Sequence, residues 1–213
     1  MEEMIELRRK ARGMAVRERL IEAACVCMAA RGYEACSVAE LATAAQLSKN
    51  QLFYHFGSKE GLGLAAAERM ARAWRDDIAA PAQIYPAPRE RLRYMLARLA
   101  ELSAAGWPHD RLLAALALGG EALPPELRAR VTEAAAELRR AFSTPIKELR
   151  GDDTAELPGA QVPAGLRPRR LAAVIVSLII GSAAGRGLGE PFGDNPACLA
   201  AIEQLLGLPA VIE

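Results

Sequence analysis

The chain has 213 residues, of which 52% are apolar and 25% are charged, and its formal net charge is +1. This balance excludes disordered and fibrous proteins and predicts a globular chain with a sizeable core, in one or two domains. The first residues are dense in charge where a secretory signal is apolar, and the longest nearly uncharged stretch, residues 171–185, is shorter than the roughly 20 residues that span a bilayer. We therefore expect a cytoplasmic protein with no membrane partner.

The N-terminal part of the chain is more basic than the rest. Residues 8–59 carry nine Lys or Arg residues against four Asp or Glu residues. Such a local excess in a neutral chain is compatible with a DNA-facing region. Residues 1–15 form a basic arm, which we interpret either as disordered or as a segment that enters a DNA minor groove. The cations of the arm are Arg8, Arg9, Lys10 and Arg12.

Apolar residues recur at intervals of three and four throughout the chain, which predicts an all-α fold with about nine helices. The first helix is predicted over 16–31, and Gly32 can end it because glycine adopts a left-handed conformation without a Cβ clash. A second helix over 38–44 begins with a capping box, in which the Ser37 hydroxyl and the Glu40 carboxylate accept hydrogen bonds from backbone N–H groups.

The later helices are indicated by their caps and by prolines and glycines. Ser48 caps a third helix over 49–56, and Ser58 caps a fourth that continues to about Ile78. Residues 151–168 are rich in proline and glycine and are predicted to form a long mobile loop. A fifth helix is predicted to end at Gly106, a sixth to cover 111–118, and a seventh to follow Pro125 with a kink at Pro145. The last two helices are predicted over 169–185 and 196–206.

Two short capped helices that pack on a longer amphipathic helix form the three-helix type of helix-turn-helix. The third helix then presents polar side chains to solvent, from Lys49 to His55. A lysine can contact a phosphate or a guanine, and Asn50 and Gln51 can each bond an adenine edge through two hydrogen bonds. The predicted core of the unit contains Val38, Leu41, Ala42, Leu47, Leu52 and Phe56, and Phe53 is also expected to pack inward.

Residues 17–62 resemble the DNA-binding domain of the TetR family of bacterial regulators. The resemblance is carried by the segments 20–24, Gly32-Tyr33 and 37–42 and by the run from Leu47 to Leu62. It implies that Ser37, Tyr54, His55 and Lys59 contact phosphates and that residues 49–51 contact base edges. Gln46 stands where the family often has a turn glycine. The predicted DNA-binding residues are therefore Ser37, Ser48, Lys49, Asn50, Gln51, Tyr54, His55 and Lys59.

The resemblance also implies a helix-turn-helix domain over 16–58, followed by an effector-binding and dimerisation domain over 59–213. A pocket for a small, largely apolar effector is expected within residues 60–190, because the helical domain is larger than dimerisation alone requires. The candidate effector residues, which core packing also explains, are Trp74, Tyr94, Trp107, His109 and Phe142.

A homodimer is expected on operator DNA, since one short recognition helix makes few contacts and paired helices must lie about 34–36 Å apart to enter successive major grooves. The helix over 169–185 is apolar on nearly all sides and is predicted to pair with its mate, together with the final helix. The alternative is that this helix is the centre of a monomeric core. The predicted interface contains Val174, Ile175, Leu178, Ile179, Ser182, Leu199, Ile202 and Leu206.

These observations predict a regulator that binds double-stranded operator DNA, and more specifically a repressor that an effector releases. The alternatives are a helical interaction protein that has lost DNA binding and a regulator that needs no effector. No enzyme activity, cofactor or metal is expected, because no catalytic triad or metal-ligand spacing is present. The four cysteines are expected to be small buried or half-buried thiols, with a redox sensor as the alternative. They are Cys25, Cys27, Cys36 and Cys198.

Overall fold

The computed structural model of the protein describes residues 1–150, 167–185 and 195–208. Within these ranges the chain forms nine α-helices and no strand, which confirms the predicted all-α fold. The loop predicted over 151–168 lies almost wholly outside the described residues. The helices are α1 Glu2–Arg31, α2 Val38–Ala44, α3 Lys49–Phe56, α4 Lys59–Trp74, α5 Pro88–Ala104, α6 His109–Gly119, α7 Pro125–Arg150, α8 Pro168–Gly185 and α9 Asn195–Leu205.

The helix-turn-helix unit consists of α1, α2 and α3, and α2 and α3 have the predicted bounds. Leu20, Ile21, Ala24 and Met28 on α1 are fully buried, as their spacing predicts. Leu41 of α2 and Leu52 of α3 meet them in the same core cluster. The rest of the predicted core of the unit is buried or half-buried: Val38, Ala42, Leu47 and Phe56.

Helix α1 is longer than predicted, because it begins at Glu2 and takes in the whole basic arm. Its side chains from Met4 to Ala15 are exposed, with Gly13 half-exposed. The arm is therefore a solvent-facing helical extension, which corrects the interpretation that it is disordered. No buried stripe marks this part of the sequence, so periodicity alone gives the start of the helix at the first inward-facing residue.

Helix α4 connects the helix-turn-helix to the rest of the molecule. It packs against α1, α6 and α7, and eight of its residues are buried. After Trp74 the chain continues as a single π-helical turn, Arg75–Ala79, in which the Ala80 N–H donates to the Arg75 carbonyl at 2.7 Å. The helix predicted to reach Ile78 is thus continued by a wider turn, and a 3₁₀ turn over Pro81–Ile84 follows it.

The remaining helices build one core that is continuous with that of α1. Helix α7 packs against α4, α5 and α8, while α6 packs against α1 and α8, and α9 against α5 and α8. The α7 helix continues through the buried Pro145, where the missing N–H donor predicts a kink. Helix α1 of the helix-turn-helix unit thus packs on both α4 and α6.

Among the described residues, α8 is the one helix long and apolar enough to cross a membrane, with mean hydropathy 1.3 over 18 residues. Half of this stretch is buried inside the protein. Length and composition alone do not separate a membrane span from a core helix, and the burial of α8 against α6 and α7 is that of a core helix.

Candidate DNA-binding site

Serine caps fix the starts of α2 and α3. The Ser37 hydroxyl accepts from the Glu40 N–H at 3.2 Å, and the Ser37 N–H donates to the Glu40 carboxylate at 2.8 Å. The Ser48 hydroxyl likewise accepts from the Gln51 N–H at 3.2 Å, and the Ser48 N–H donates to Gln51 Oε1 at 3.0 Å. Each box satisfies two backbone donors that the helix leaves free, and so it sets the direction of the helix.

Glu40 also ties α2 to the end of α1. Its carboxylate accepts from the Arg31 guanidinium at 2.7 Å. Three hydrogen bonds lower the pKa of Glu40 to about 2. The largest effect comes from the Ser37 N–H, followed by the Arg31 guanidinium and the Ser37 hydroxyl. The carboxylate is therefore ionised throughout the neutral range, and the capping box of α2 keeps its charge-assisted bond.

Helix α3 presents the polar face that its sequence predicts. Lys49 and Asn50 are exposed in its first turn. Tyr54 is 85% exposed, and its ring meets the half-buried His55 edge to face at a centroid distance of 5.0 Å. The ring of Phe53 is 46% exposed, which corrects the expectation that it packs inward. The exposed face therefore carries a cation, an amide, a phenol and an additional aromatic surface.

Gln51 does not have the free side chain that two-bond recognition of an adenine requires. It is half-buried, and its Oε1 accepts from both the N–H and the hydroxyl of Ser48, at 3.0 and 3.2 Å. Reading an adenine would need this oxygen as the acceptor for the base amino group. Gln51 is a helix cap in the DNA-free protein, and only its amide NH₂ remains for a further contact.

The turn between α2 and α3 places a non-glycine residue in the left-handed region. Gln46 has φ 54°, at the position where the family that the sequence resembles often has glycine. The Gln46 N–H donates to the Thr43 carbonyl at 2.8 Å and the Leu47 N–H to the Ala42 carbonyl at 2.9 Å. This paired pattern is the Schellman termination of a helix, whose left-handed position is usually filled by glycine.

Two arginines of α1 hold the motif in place, although the sequence pattern indicates neither of them. The Arg19 guanidinium donates to the Ala45 carbonyl at 2.6 Å, so α1 is pinned to the turn that precedes α3. The Arg17 guanidinium lies 5.0 Å from the centroid of the Phe56 ring at the end of α3. Neither contact has a local sequence signal, because the partners are 26 and 39 positions away along the chain.

The predicted phosphate contacts at the edges of the motif occupy different environments. Ser37 is exposed at the start of α2. Lys59 is half-buried, with its amine 4.2 Å from the centroid of the Tyr33 ring and 3.4 Å from the Glu34 carbonyl. The amine therefore lies against the loop after α1, and a phosphate would have to replace or share that contact.

The junction between α3 and α4 is tightly packed. Gly57 ends α3 with φ 73°, and the Ser58 hydroxyl accepts from the Gly61 N–H at 3.0 Å. A Cβ atom at Gly61 would lie 2.2 Å from the carbonyl oxygen of Phe56, so only glycine fits there. The position of α3 relative to α4 thus depends on a backbone contact.

The predicted effector residues form one aromatic cluster and two separate positions. The Trp74 and Trp107 rings meet at 5.1 Å, and the Trp107 and His109 rings at 5.0 Å, both edge to face. The Trp107 indole donates to the Asp77 carboxylate at 3.2 Å. Tyr94 is half-buried beside Tyr85, and Phe142 is fully buried in the core. The structure thus brings Trp74, Trp107 and His109 together and leaves the other candidates apart.

Two polar atoms of this cluster are buried without a hydrogen-bond partner among the described residues. They are Trp74 Nε1 and His109 Nδ1. Burial lowers the pKa of His109 to about 4, with the Asp77 carboxylate acting in the opposite direction. The imidazole is therefore neutral at physiological pH. A buried nitrogen without a hydrogen-bond partner, such as Nδ1 of His109, is unusual in a protein core.

A cleft of about 350 Å³ opens beside this cluster, between α4 with its π-helical turn and α7. Trp74 is the one predicted effector residue that lines it, together with Arg75, Glu137, Leu138 and Arg140. Ala71, Ala79, Ala134 and Ala141 complete the lining. Most of the cleft surface is apolar, and its charged residues are Arg75, Glu137 and Arg140. A volume of roughly 300–1,000 Å³ is typical of small-molecule sites.

The predicted dimer residues fall into two groups. Val174 and Leu178 are exposed, at 42% and 36%, on one face of α8. With the exposed Ser177 and Gly181 they form an unpartnered stripe at intervals of three and four. The structure places the others inside the protomer, where they contribute to its own core: Ile175, Ile179, Ser182, Leu199, Ile202 and Leu206.

The four cysteines form no disulfide with one another, and two of them are buried and two half-buried, as expected for small packing residues. Burial raises the pKa of Cys25 to about 12, so this thiol is protonated and unreactive at neutral pH. The described ranges contain no group of three or more His, Cys, Asp or Glu residues that could hold a metal ion.

Residues 20–66 match the family model of the bacterial regulatory proteins, tetR family. A search of curated proteins finds no match. A TetR-family transcriptional regulator from Agrobacterium tumefaciens is similar with a TM-score of 0.75 and 18% identity, over 92% of this chain and 97% of that one. The reduced form of NemR from E. coli has a TM-score of 0.71 and 21% identity, over 92% and 100%. AibR, in complex with isovaleryl coenzyme A and operator DNA, has a TM-score of 0.69 and 20% identity, over 91% and 99%.

The two kinds of match agree with the geometry of the site. The family match covers the motif whose third helix carries the exposed polar face, and the structural likeness extends the shared fold over nearly the whole chain. The chain thus shares the fold of these regulators and carries a helix-turn-helix segment that matches the tetR-family model.

Proposed function

We propose that the protein is a homodimeric, cytoplasmic repressor that grips operator DNA through α3 and that a small, largely apolar effector releases it. The observation that carries the proposal is the exposed face of α3, held in direction by the reciprocal cap between Ser48 and Gln51. Lys49 and Asn50 contact base edges, because they lie in the first turn that enters a major groove. Tyr54, His55, Ser37 and Lys59 contact the flanking phosphates, and Ser48 and Gln51 orient the helix.

The exposed stripe of α8 supports the dimer. A helix whose outer face carries Val174 and Leu178 beside the small Ser177 and Gly181 permits close approach of a second helix. Exposed apolar residues on α9 are mainly alanines, at positions 200 and 201. We expect two protomers that meet along these faces to present both copies of α3 to the same duplex. The buried members of the predicted interface support it only indirectly, by shaping α8 and α9.

The cleft between α4 and α7 supports effector control. A molecule that fills it contacts Trp74 at the end of α4, one helix away from the motif. Because Gly61 couples the start of α4 to α3 through a backbone contact, a tilt of α4 moves the recognition helix. By linkage the effector and DNA then weaken each other equally, typically by about 1–3 kcal/mol.

The test of DNA recognition uses a duplex selected by the protein from a random-sequence pool, labelled for fluorescence anisotropy. Tyr54→Phe is expected to lower affinity by roughly 1 kcal/mol, about five-fold, for each protomer, because each protomer loses one phosphate hydrogen bond. Lys49→Ala is expected to lower it further and to reduce the salt dependence. Arg128→Ala, an exposed cation at the start of α7, is the matched control and should bind as the wild type does.

Circular dichroism and sedimentation of the same variants separate recognition from folding. If Lys49→Ala and Tyr54→Phe bind the selected duplex as tightly as the wild type, the α3 face is not the contact surface. If no duplex is enriched from the pool, the helical interaction protein is the better interpretation. A reporter gene with the selected duplex across its promoter should be silenced by the wild type, and unchanged or increased expression would contradict repression.

The test of effector control uses anilinonaphthalene sulfonate as the apolar probe. Its fluorescence is expected to rise on binding the cleft, and the affinity for the selected duplex is expected to fall in its presence. Ala141→Trp fills the cleft from α7 and should abolish both effects while DNA binding without the probe is retained. Equal probe binding by Ala141→Trp would place the probe elsewhere, and unchanged DNA affinity with the probe bound would favour an effector-independent regulator.

A further inference from the structure

A groove of about 820 Å³ lies between the helical extension of α1 and the recognition helix. One wall is the α1 face that contains Arg9, Lys10 and Gly13, and the other is formed by Tyr54 and His55 of α3. The groove also includes Arg12 and Arg17 on its α1 side and Gln51 on its α3 side. It is thus continuous with the face that the proposed function assigns to DNA.

The charge of the groove is strongly positive. Arg9, Lys10, Arg12 and Arg17 line it, against a single carboxylate, Glu6. The closest approach between Arg9 Nε and Glu6 Oε2 is 3.7 Å, and both side chains are largely exposed. Lys10 and Arg12 form no ion pair with another described side chain, so no described carboxylate neutralises their charges. A cluster of like charges held on a helix favours a polyanionic occupant.

The groove is part of a fixed element and does not depend on a loose arm. Residues 2–15 continue α1 without a break and extend about 21 Å beyond the helix-turn-helix core, at roughly 1.5 Å per residue. Arg17 anchors the near end, with its guanidinium 5.0 Å from the centroid of the Phe56 ring. At Gly13 a Cβ would meet nothing within 4 Å, so the floor of the groove is open there.

We infer that this groove binds the sugar-phosphate backbone of the DNA strand that flanks the major groove entered by α3. The inference rests on the proposed function and extends it, because it assigns the α1 extension to phosphates along the strand and not to base edges of a minor groove. Lys10 and Arg12 contact successive phosphates, and Arg9 and Arg17 contact the backbone on either side of these phosphates. The extension thereby lengthens the footprint of each protomer without adding base recognition.

The test measures the affinity of the wild type and of a Lys10→Gln/Arg12→Gln variant for the selected duplex over a range of salt concentrations. Glutamine keeps the helix propensity of the replaced residues, so α1 remains intact. The slope of log Kd against log salt is expected to fall by about one for each phosphate that a protomer no longer neutralises, with a similar loss of affinity on unrelated duplexes. Arg128→Gln/Lys147→Gln, two exposed cations of α7, is the matched control and should leave the slope unchanged.

A second pair of variants tests the groove from its floor. Gly13→Glu places a carboxylate beside the phosphates and is expected to lower affinity about ten-fold or more by like-charge repulsion. Gly13→Ala adds a methyl group without a charge and should therefore lose much less affinity than Gly13→Glu. Helix content is expected to rise slightly in both, since either residue favours a helix over glycine.

The outcomes separate the groove from the recognition helix. The groove assignment would be overturned if Lys10→Gln/Arg12→Gln bound DNA with the affinity and salt slope of the wild type, or if Gly13→Glu bound with unchanged affinity. Either result would leave the assignment of α3 to DNA intact. Failure of the wild type to bind any duplex would overturn both. If the Lys10→Gln/Arg12→Gln variant lost affinity for a poly-glutamate peptide but not for DNA, the groove would belong to an acidic protein partner instead.

Discussion

The strained turn of the helix-turn-helix gives a prediction whose size follows from one backbone angle. Gln46 has φ 54°, a conformation that costs a residue with a Cβ atom about 1–2 kcal/mol. In Gln46→Gly that cost disappears, while the added freedom of glycine in the unfolded chain removes roughly 0.4–1 kcal/mol of the gain. The substitution also removes the hydrogen bond from Arg19 to Gln46 Oε1, which is 3.5 Å long and exposed and therefore contributes little.

We therefore expect Gln46→Gly to stabilise the protein by about 0.5–1 kcal/mol, which raises Tm by roughly 1–4 °C for a chain of this length. The assay is thermal unfolding followed by circular dichroism at 222 nm, with protein concentration held constant because dimerisation shifts Tm. Gln46→Ala is the control, since it removes the same side chain and keeps the strained Cβ. A Tm for Gln46→Gly equal to or below that of Gln46→Ala would refute the argument from strain.

Three further predictions concern other parts of the molecule. Gly61→Ala should destabilise the protein by about 1–3 kcal/mol and weaken DNA binding, since its Cβ would collide with a backbone carbonyl, whereas Gly13→Ala should slightly stabilise it. The unfolding free energy should fall as pH drops from about 6.5 to about 4, because His109 binds a proton in the unfolded chain but not when it is buried. This fall should be smaller in His109→Gln, and an identical pH profile for the variant would contradict the prediction. Leu178→Glu should yield monomers in sedimentation, while Leu118→Glu, on an exposed leucine of α6, should not.

The parts of the fold that sequence can predict are those encoded locally. Ser37, Ser48 and Ser58 each begin a helix, and each hydroxyl accepts from the N–H three residues later, so the bounds of α2 and α3 follow from the caps. The start of α1 has no such signal. Its first residues have neither a side-chain cap nor a buried stripe, so helix propensity alone carries the helix from Glu2 to Val16.

The direction of individual side chains is harder to predict, because it depends on contacts made across the motif. The helical pattern predicts that Gln51 faces DNA, but the cap it forms with Ser48 draws its carbonyl oxygen back to the helix start. The prediction that Phe53 packs inside is wrong, since the core is already filled by Leu52 and by Phe56 packed under Arg17. The apolar period of a helix therefore does not decide whether residues next to the boundary between the buried and exposed faces are buried or exposed.

The C-terminal helices show the limit of an apolar pattern. Helix α8 is apolar nearly all round, so its sequence does not say which side meets the protomer core and which side is left for a mate. The structure buries Ile175 and Ile179 and exposes Val174 and Leu178. Likewise, Trp74, Trp107 and His109 come together only because α4 and α6 pack side by side.

The central claim, that α3 enters duplex DNA, is tested most directly by photo-crosslinking from position 50. A benzophenone side chain replacing Asn50 is expected to form adducts with bases at two symmetric places in the selected duplex, about one helical turn, roughly 34–36 Å, apart. The same side chain at position 128, on α7, should form none. A bound duplex that yields no base adducts from position 50 would contradict the account.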